Sequence, residues 1–469
     1  MGRAATLGSL GGLSLVLVGL LLAQQTFDRW RLSSASANVD FFTLWSVPQA
    51  LDDAPGTDIY TPAGQLELGA VMTREAKSSS ASETQRTATA AVRQLYDGRV
   101  DATATPFAYA VVGWLSSGDY DRDLWRFIAA SWVAFAFSVV AIGALLRYSL
   151  VATLLAFLVL TSTFAPLLAE LRVANLNQVQ LAILAAFLLL VGQVRFGLAG
   201  VVLGLATAFK PNIALVLPFC VLVTLVDRRG ARWGRLCAGA VLGMAAGLAA
   251  GALYFDGVGI WTGFLQGLER TTGVTYPLEH GNFGLAALVF SWSGWKVSWP
   301  VGLALTMAFS ALVIRTRPAG SPQEPGGAAS AAGADHDLHQ TFLAVGLGCA
   351  VMLLASNLVW LHYYVLLIPL ALFLLRPVPE RAPDRTRRLA CGGAAVASLV
   401  LFSSAAQYLA AGAGPAATLA NVATLLLFGA GLDELWRLRR ARAASDAGTA
   451  ARRPGSRARL RPKLGAIAS

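Results

Sequence analysis

The chain has 469 residues, 56% of them hydrophobic and 13% charged, with a formal net charge of +11 at pH 7. A soluble domain of this size carries about a quarter charged residues. Here the apolar residues come in blocks near the ~20 residues that cross a bilayer, which excludes one large soluble core. Much of the positive charge lies in short loops between those blocks and in the C-terminal stretch, where membrane topology accounts for it and no nucleic-acid partner is indicated.

In chain order, length and flanking charge place helical spans near 7–24, 125–146, 149–168, 177–194, 196–209, 212–226, 236–254, 299–314, 341–357, 363–375, 389–409 and 416–432. The expected fold class is an all-α polytopic membrane protein, with about 12 transmembrane helices and a large extracytoplasmic first loop carrying interfacial helices. The first run follows Arg3 and continues into Gln24-Gln25-Thr26-Phe27 without a small-residue cleavage site, so it reads as an uncleaved first helix. Residues 1–433 form one transmembrane domain containing the 25–124 loop and a Pro/Gly/Ala/Ser-rich cytoplasmic linker at 316–339, in which His336 and His339 read as solvated. Residues 434–469 are expected to be a basic, disordered cytoplasmic tail drawn to anionic lipid heads. Cys220, Cys237, Cys349 and Cys391 lie in or beside apolar runs without CxxC spacing, so no zinc site or disulfide framework is expected.

With the N-terminus inside, Arg147, Arg195, Arg228 to Arg232, Arg315, Arg317 and the 376–388 stretch all fall on the cytoplasmic side. The outer side then receives the 25–124 loop, Glu170 to Gln178, Lys210, the 255–298 loop and Asn357 to His362. Charge at membrane level is expensive, so polar residues gathered at one face point to a binding or reaction cavity there. The spans at 196–209 and 212–226 meet at Lys210-Pro211-Asn212, a Pro-interrupted junction of the kind that lines cavities. Between Asn38 and Tyr60, an acidic residue is followed by an aromatic-rich amphipathic turn, and Phe41, Leu44, Trp45 and Val47-Pro48 are expected to lie in the interface with one face in lipid. On spacing alone Asp40 reads first as a helix N-cap.

Asp40-Phe41-Phe42 with Trp45, Gly56 and Asp58-Ile59-Tyr60 resembles the first-loop signature of the integral-membrane C-type glycosyltransferases. The nearest branch is the bacterial alpha-mannosyltransferase family that uses polyprenyl-phosphate sugars. Further segments follow in that family's order: Thr105 to Ala110, Asn175 to Gln180, Gly200 to Pro211, Gly281 to Leu285, and Ser356 to Tyr363. One proline of the second segment and a Gln-Ser pair of the fifth are missing, and the 61–104 stretch is unlike the family's usual versions.

The resemblance implies a membrane hexosyltransferase of the cell envelope, placed in the inner (plasma) membrane with its site facing outward. It would move a hexose, mannose in the nearest branch, from a polyprenyl-phosphate donor to a lipid-linked or glycan acceptor. A sugar hydroxyl is a poor nucleophile and needs a carboxylate to take its proton, and the resemblance assigns that role to Asp40. The lipid-phosphate leaving group needs fixed cations or donors, for which Lys210, Arg172, His280 and His362 are the candidates. Gln178, Asn282, Asp58 and Tyr60 complete the candidate substrate-binding set. No Asp-x-Asp or His cluster has metal-ligand spacing, so protein cations are expected in place of a metal or cofactor.

Plainer readings compete with each assignment. Arg172 and Lys210 read also as snorkelling interfacial residues, and His362 as part of an aromatic belt with Trp360, Tyr363 and Tyr364. Glu170 reads as a partner of Arg172, Asn177 and Gln178 as a helix cap, and Asp58 with Tyr60 as turn-formers. The competing function is a transporter or flippase for lipid-linked saccharides. It would call for internal repeats and midplane charge, and neither is evident. A polymerase or ligase of surface glycans shares the outward cavity.

Overall fold

The computed structural model describes residues 2–226, 230–273, 277–316, 331–378, 384–408 and 412–451. These residues are helical with connecting turns, and no strand occurs among them. Among the described residues six helices are long and apolar enough to cross a membrane, or seven if the bent pair Leu150–Thr163 and Ala165–Val173 counts as one span. Each of the twelve expected spans lies on a helix, but Asn177–Gly192, Phe196–Phe209, Pro211–Val226 and Leu361–Leu374 are shorter than a straight crossing needs. Short helices with polar breaks between them require those breaks to be buried in protein or to line a polar cavity.

The breaks are written into the sequence. Pro211 disfavours the helical conformation for the residue before it, and Lys210 is extended (φ −152°, ψ 107°), ending the Phe196–Phe209 helix. Ala174, in the left-handed conformation (φ 53°), ends the short Ala165–Val173 helix and turns the chain into Asn177–Gly192. The Phe196–Phe209 and Gly230–Tyr254 helices pack backbone against backbone. A Cβ added at Gly204 would stand 2.1 Å from the Ala240 carbonyl oxygen, and one at Gly243 would stand 2.1 Å from that of Val201. Small residues at such spacing let helices approach closely where lipid supplies no hydrophobic drive.

The segment after the first helix is not a loose interfacial loop. The first helix continues to Ser34, and four helices follow: Val39–Asp53, Pro62–Ala76, Glu83–Leu95 and Pro106–Leu115. Thr61, Ser82 and Thr105 cap the last three by accepting from the backbone N–H three residues on. The aromatic turn expected in lipid is instead buried in a second core. Trp45 is 2% exposed, and Phe41, Phe42, Leu44 and Val47 pack with Tyr60, Leu68, Met72, Tyr109 and Tyr120. Three further helices give the apolar side chains a protein surface to face, which removes the need for lipid. The main core gathers the remaining helices around the buried Ala331–Ala355 helix.

The end of the bundle opposite these breaks carries ion pairs. Arg376 and Arg437 both bind Glu434, Arg387 binds Asp433, and Arg232 binds Asp337. The Ala413–Ala451 helix runs on through the position where a tail is expected to begin, burying Glu434, Arg437 and Arg439. Residues 452–469 lie outside the described residues, as does 317–330 of the expected linker. His336 and His339 fall on the Ala331–Ala355 helix, where neither is free in solvent. The Nε2 of His336 meets Gln340 at 2.7 Å, and the His339 ring packs edge-on to Phe373.

Candidate active site

Three chain breaks and one helix start meet at the other end of the bundle. Asn38, in the left-handed conformation (φ 47°), opens the Val39–Asp53 helix, and no side chain caps that helix. Asp40 sits inside the first turn, and its Oδ2 accepts a hydrogen bond from Asn175 Nδ2 at 2.6 Å. The cap reading of Asp40 therefore fails: its carboxylate faces another part of the chain. The side chain is 24% exposed, so the carboxylate is reachable from outside the bundle.

Asn175 has a second contact. Lys210 Nζ donates to its Oδ1 at 2.6 Å and to Asn177 Oδ1 at 2.8 Å, and lies 4.8 Å from the centre of the Tyr363 ring. One amide thus stands between the carboxylate of Asp40 and the ammonium of Lys210. Asn177 donates from its backbone N–H and Nδ2 to the two carboxylate oxygens of Glu170, at 2.7 and 2.8 Å. Glu170 is 1% exposed and does not pair with Arg172: its carboxylate caps the Asn177–Gly192 helix, whose N-terminal N–H groups favour an anion. His362 closes the group, with Nε2 3.9 Å from Asp40 Oδ2 and its backbone oxygen 3.4 Å from Asn177 Nδ2.

Burial raises the pKa of Asp40 from its ordinary value, opposed by the Asn175 hydrogen bond and the Lys210 charge. Asp101, in the loop before Thr105, is pushed up to about 6 by burial and then by the charge of Asp40. That loop is pinned from three directions. Tyr60 Oη donates to the Ala104 carbonyl at 2.8 Å, Ala104 N–H reaches Tyr109 Oη at 3.4 Å, and Thr105 Oγ1 donates to the Phe209 carbonyl at 2.8 Å. The last contact joins the loop directly to the chain break at Lys210.

Four side-chain atoms around this group are buried without a hydrogen-bond partner: His362 Nε2, Gln178 Nε2, Gln180 Oε1 and Asn212 Nδ2. A buried polar atom left unpaired costs about 1–3 kcal/mol. Several in one polar group, His362 Nε2 among them 3.9 Å from Asp40, mark a place where a polar ligand would complete the bonding.

The structure thus brings together Asp40, Lys210 and His362, with Gln178 beside them. It adds Asn175, Asn177, Glu170, Tyr363 and Asp101, none of which stands among the candidate residues above. Of these, Asn175 and Asn177 had a visible signal, two amides flanking a helix start. Asp101 had none, in a loop without periodicity. The other candidates lie elsewhere. Asp58 Oδ1 accepts from Tyr60 N–H and shapes the turn, while Tyr60 is buried beneath it. Asn282 ties two segments, donating to the Asn357 carbonyl and accepting from the N–H groups of Gly284 and Val359. Arg172 is exposed on the other side of its helix, beside Arg29. The side chain of His280 lies outside the described residues.

Residues 103–334 match the family model of glycosyltransferase family 87. The chain is a glycosyltransferase, similar to that family over those residues. The match agrees with the likeness to C-type membrane glycosyltransferases read from the ordered segments. Searches of curated proteins and of solved structures each gave no match. The matched part of this glycosyltransferase contains Glu170, Asn175, Asn177 and Lys210. Asp40 and His362 come from outside it, one from each side of the matched segment, so the polar group is assembled from three regions of the chain.

Proposed function

We propose that this glycosyltransferase moves a hexose, mannose in the first instance, from a polyprenyl phosphate to a lipid-linked or glycan acceptor on the extracytoplasmic side of the plasma membrane, with Asp40 as general base. The observation that carries the reading is the hydrogen-bonded run from Asp40 through Asn175 to Lys210, beside the unpartnered Nε2 of His362. It sets a proton acceptor and a fixed cation one amide apart.

In the proposed reaction the acceptor hydroxyl gives its proton to Asp40 as its oxygen bonds to the anomeric carbon. The bond from that carbon to the phosphate oxygen breaks, and polyprenyl phosphate leaves with the electron pair. Lys210 and His362 receive the growing negative charge, and the unpaired amides of Gln178 and Asn212 meet sugar hydroxyls. Burial raises the basicity of Asp40, which favours proton abstraction. The outward orientation rests on the basic residues at the opposite end of the bundle, Arg147, Arg232, Arg376, Arg387 and Arg437 among them.

The test is incubation of the purified chain with polyprenyl-phosphate mannose, glucose and arabinose in parallel. Release of polyprenyl phosphate from mannose above the other two is expected, and release from none of the three would sink the donor assignment. Orientation is read by labelling cysteines introduced at Ser79 and Ser445 in intact cells. Labelling at Ser445 with protection at Ser79 would reverse it.

A further inference from the structure

The proposed reaction leaves Glu170 unused, although its carboxylate is buried and a buried acid is costly unless its bonds are made. Capping the Asn177–Gly192 helix accounts for one of its oxygens. Oε1 accepts the backbone N–H groups of Asn177 at 2.7 Å and of Gln178 at 3.4 Å. The other oxygen does something a cap does not need. Oε2 accepts from the side-chain Nδ2 of Asn177 at 2.8 Å.

Asn177 is fully buried, and both ends of its amide are engaged. Nδ2 donates to Glu170 and to the His362 carbonyl, and Oδ1 accepts from Lys210 Nζ at 2.8 Å. Gln178, Gln180 and Asn212 each keep an unpartnered atom, so they are open to a ligand and Asn177 is not. A carboxylate only accepts and an ammonium only donates. The Asn177 amide therefore has one direction that satisfies both neighbours, with its N–H₂ to Glu170 and its oxygen to Lys210. The same direction ties down the backbone at His362. A carboxamide in place of the Glu170 carboxylate would break this: with its oxygen on the Asn177 backbone N–H, its own N–H₂ would face that of the Asn177 side chain.

We infer that Glu170 is a positioning residue for the leaving-group end of the site: through the direction it imposes on Asn177, it holds the Lys210 ammonium and the His362 segment in place without touching substrate. Lys210 is then gripped by two amides, each aimed by an acid, Asn175 by Asp40 and Asn177 by Glu170. Two of its three N–H bonds are taken in this way, which leaves one for a phosphate oxygen. That Lys210 meets a leaving phosphate rests on the function proposed above; that Glu170 fixes Lys210 does not.

The experiment measures melting temperature and polyprenyl-phosphate affinity for the full-length chain in detergent. The variants are Glu170→Gln, Asn177→Asp, both together, Lys210→Met, and Lys210→Met with Glu170→Gln. Charge alone would make Glu170→Gln bind phosphate more tightly, because an acid is removed from beside the cation. The inference expects the opposite: affinity weakened about tenfold, the scale of one charge-assisted contact, with a lowered melting temperature. Asn177→Asp alone sets two carboxylates face to face and should lose both as well. Together the two substitutions exchange acid and amide, so an N–H₂ again meets an oxygen and an oxygen again faces Lys210. This double variant should return to within about threefold of the parent's affinity. Tighter or unchanged binding in Glu170→Gln, or a double variant no better than the worse single one, would overturn the inference. If Glu170→Gln does not fold, recovery of folding and affinity in the double variant is the expected result, and its absence overturns the inference. A parent that holds no polyprenyl phosphate would defeat the donor reading alone, and melting temperature then decides. Glu170→Gln must cost less where Lys210→Met has removed the ammonium and left Asn177 able to turn; an equal cost in both backgrounds overturns the inference.

Discussion

The two ends of the bundle both bury charge, and they do so in opposite ways. At the basic end the acids meet guanidinium groups: buried Glu434 binds Arg376 and Arg437, half-buried Asp433 binds Arg387, and of the neighbouring arginine Arg388 one buried nitrogen, Nε, is left without a partner. At the other end Asp40 and Lys210 are held apart by Asn175, His362 Nε2 stops 3.9 Å from Asp40, and several amide atoms have no partner. Closed networks stabilise and specify a fold. Open ones cost stability and are kept where a ligand completes them. The contrast marks one end as scaffold and the other as workplace.

Substitutions should separate the two ends by what they damage. The largest effect is expected from Asp40→Asn, which keeps size and loses the proton acceptor. Turnover should fall ~10²–10⁴-fold while donor binding and expression hold, and steady-state assay within a few-fold of the parent would remove Asp40 as the base. Glu434→Ala makes the opposite cut. It leaves Arg376 and Arg437 without their shared acid and should cost about 3–5 kcal/mol of stability, seen as a lowered melting temperature in detergent, with turnover per folded molecule preserved. Loss of turnover without loss of stability there would blur the contrast. Lys210→Met should weaken donor binding by about 1.5–3 kcal/mol at little cost in melting temperature, and His362→Ala should act in the same direction. Unchanged donor affinity in both would take the phosphate away from this end.

The smallest effect concerns pH. The base must be ionised, and burial raises Asp40 above its ordinary value of about 4. Activity is therefore full above that raised pKa and lost as pH falls through it. The acid limb of kcat/KM should lie above that ordinary value, because burial disfavours the charged form. A limb at the ordinary value would mean that Asp40 is solvated.

Much of this arrangement was legible in the residues. Apolar runs marked the helices, and Pro211 marked the break that exposes Lys210. Asp40, Lys210 and His362 each stood beside a helix end on one face. The aromatic turn at 41–48 was misread because lipid burial and protein burial ask for the same side chains, and only the helices at 62–115 decide between them. Helix length failed for a related reason. Apolar composition does not tell a full crossing from a shorter helix buried among neighbours, as Asn177–Gly192 is. Asp101 and the role of Glu170 depend on contacts across the fold that no local pattern encodes.

Asn175 has a consequence for how the charges at this end coexist. A carboxylate and an ammonium brought into a weakly polar crevice collapse into a contact pair, and each then quenches the other. The carboxamide prevents this as an insulator with a direction: its N–H₂ faces the acid and its oxygen faces the cation. Reversing the amide would set like partial charges against both neighbours, so only one orientation is stable. Asn175→Ala would let Asp40 and Lys210 short-circuit, leaving both residues present, correctly folded and silent.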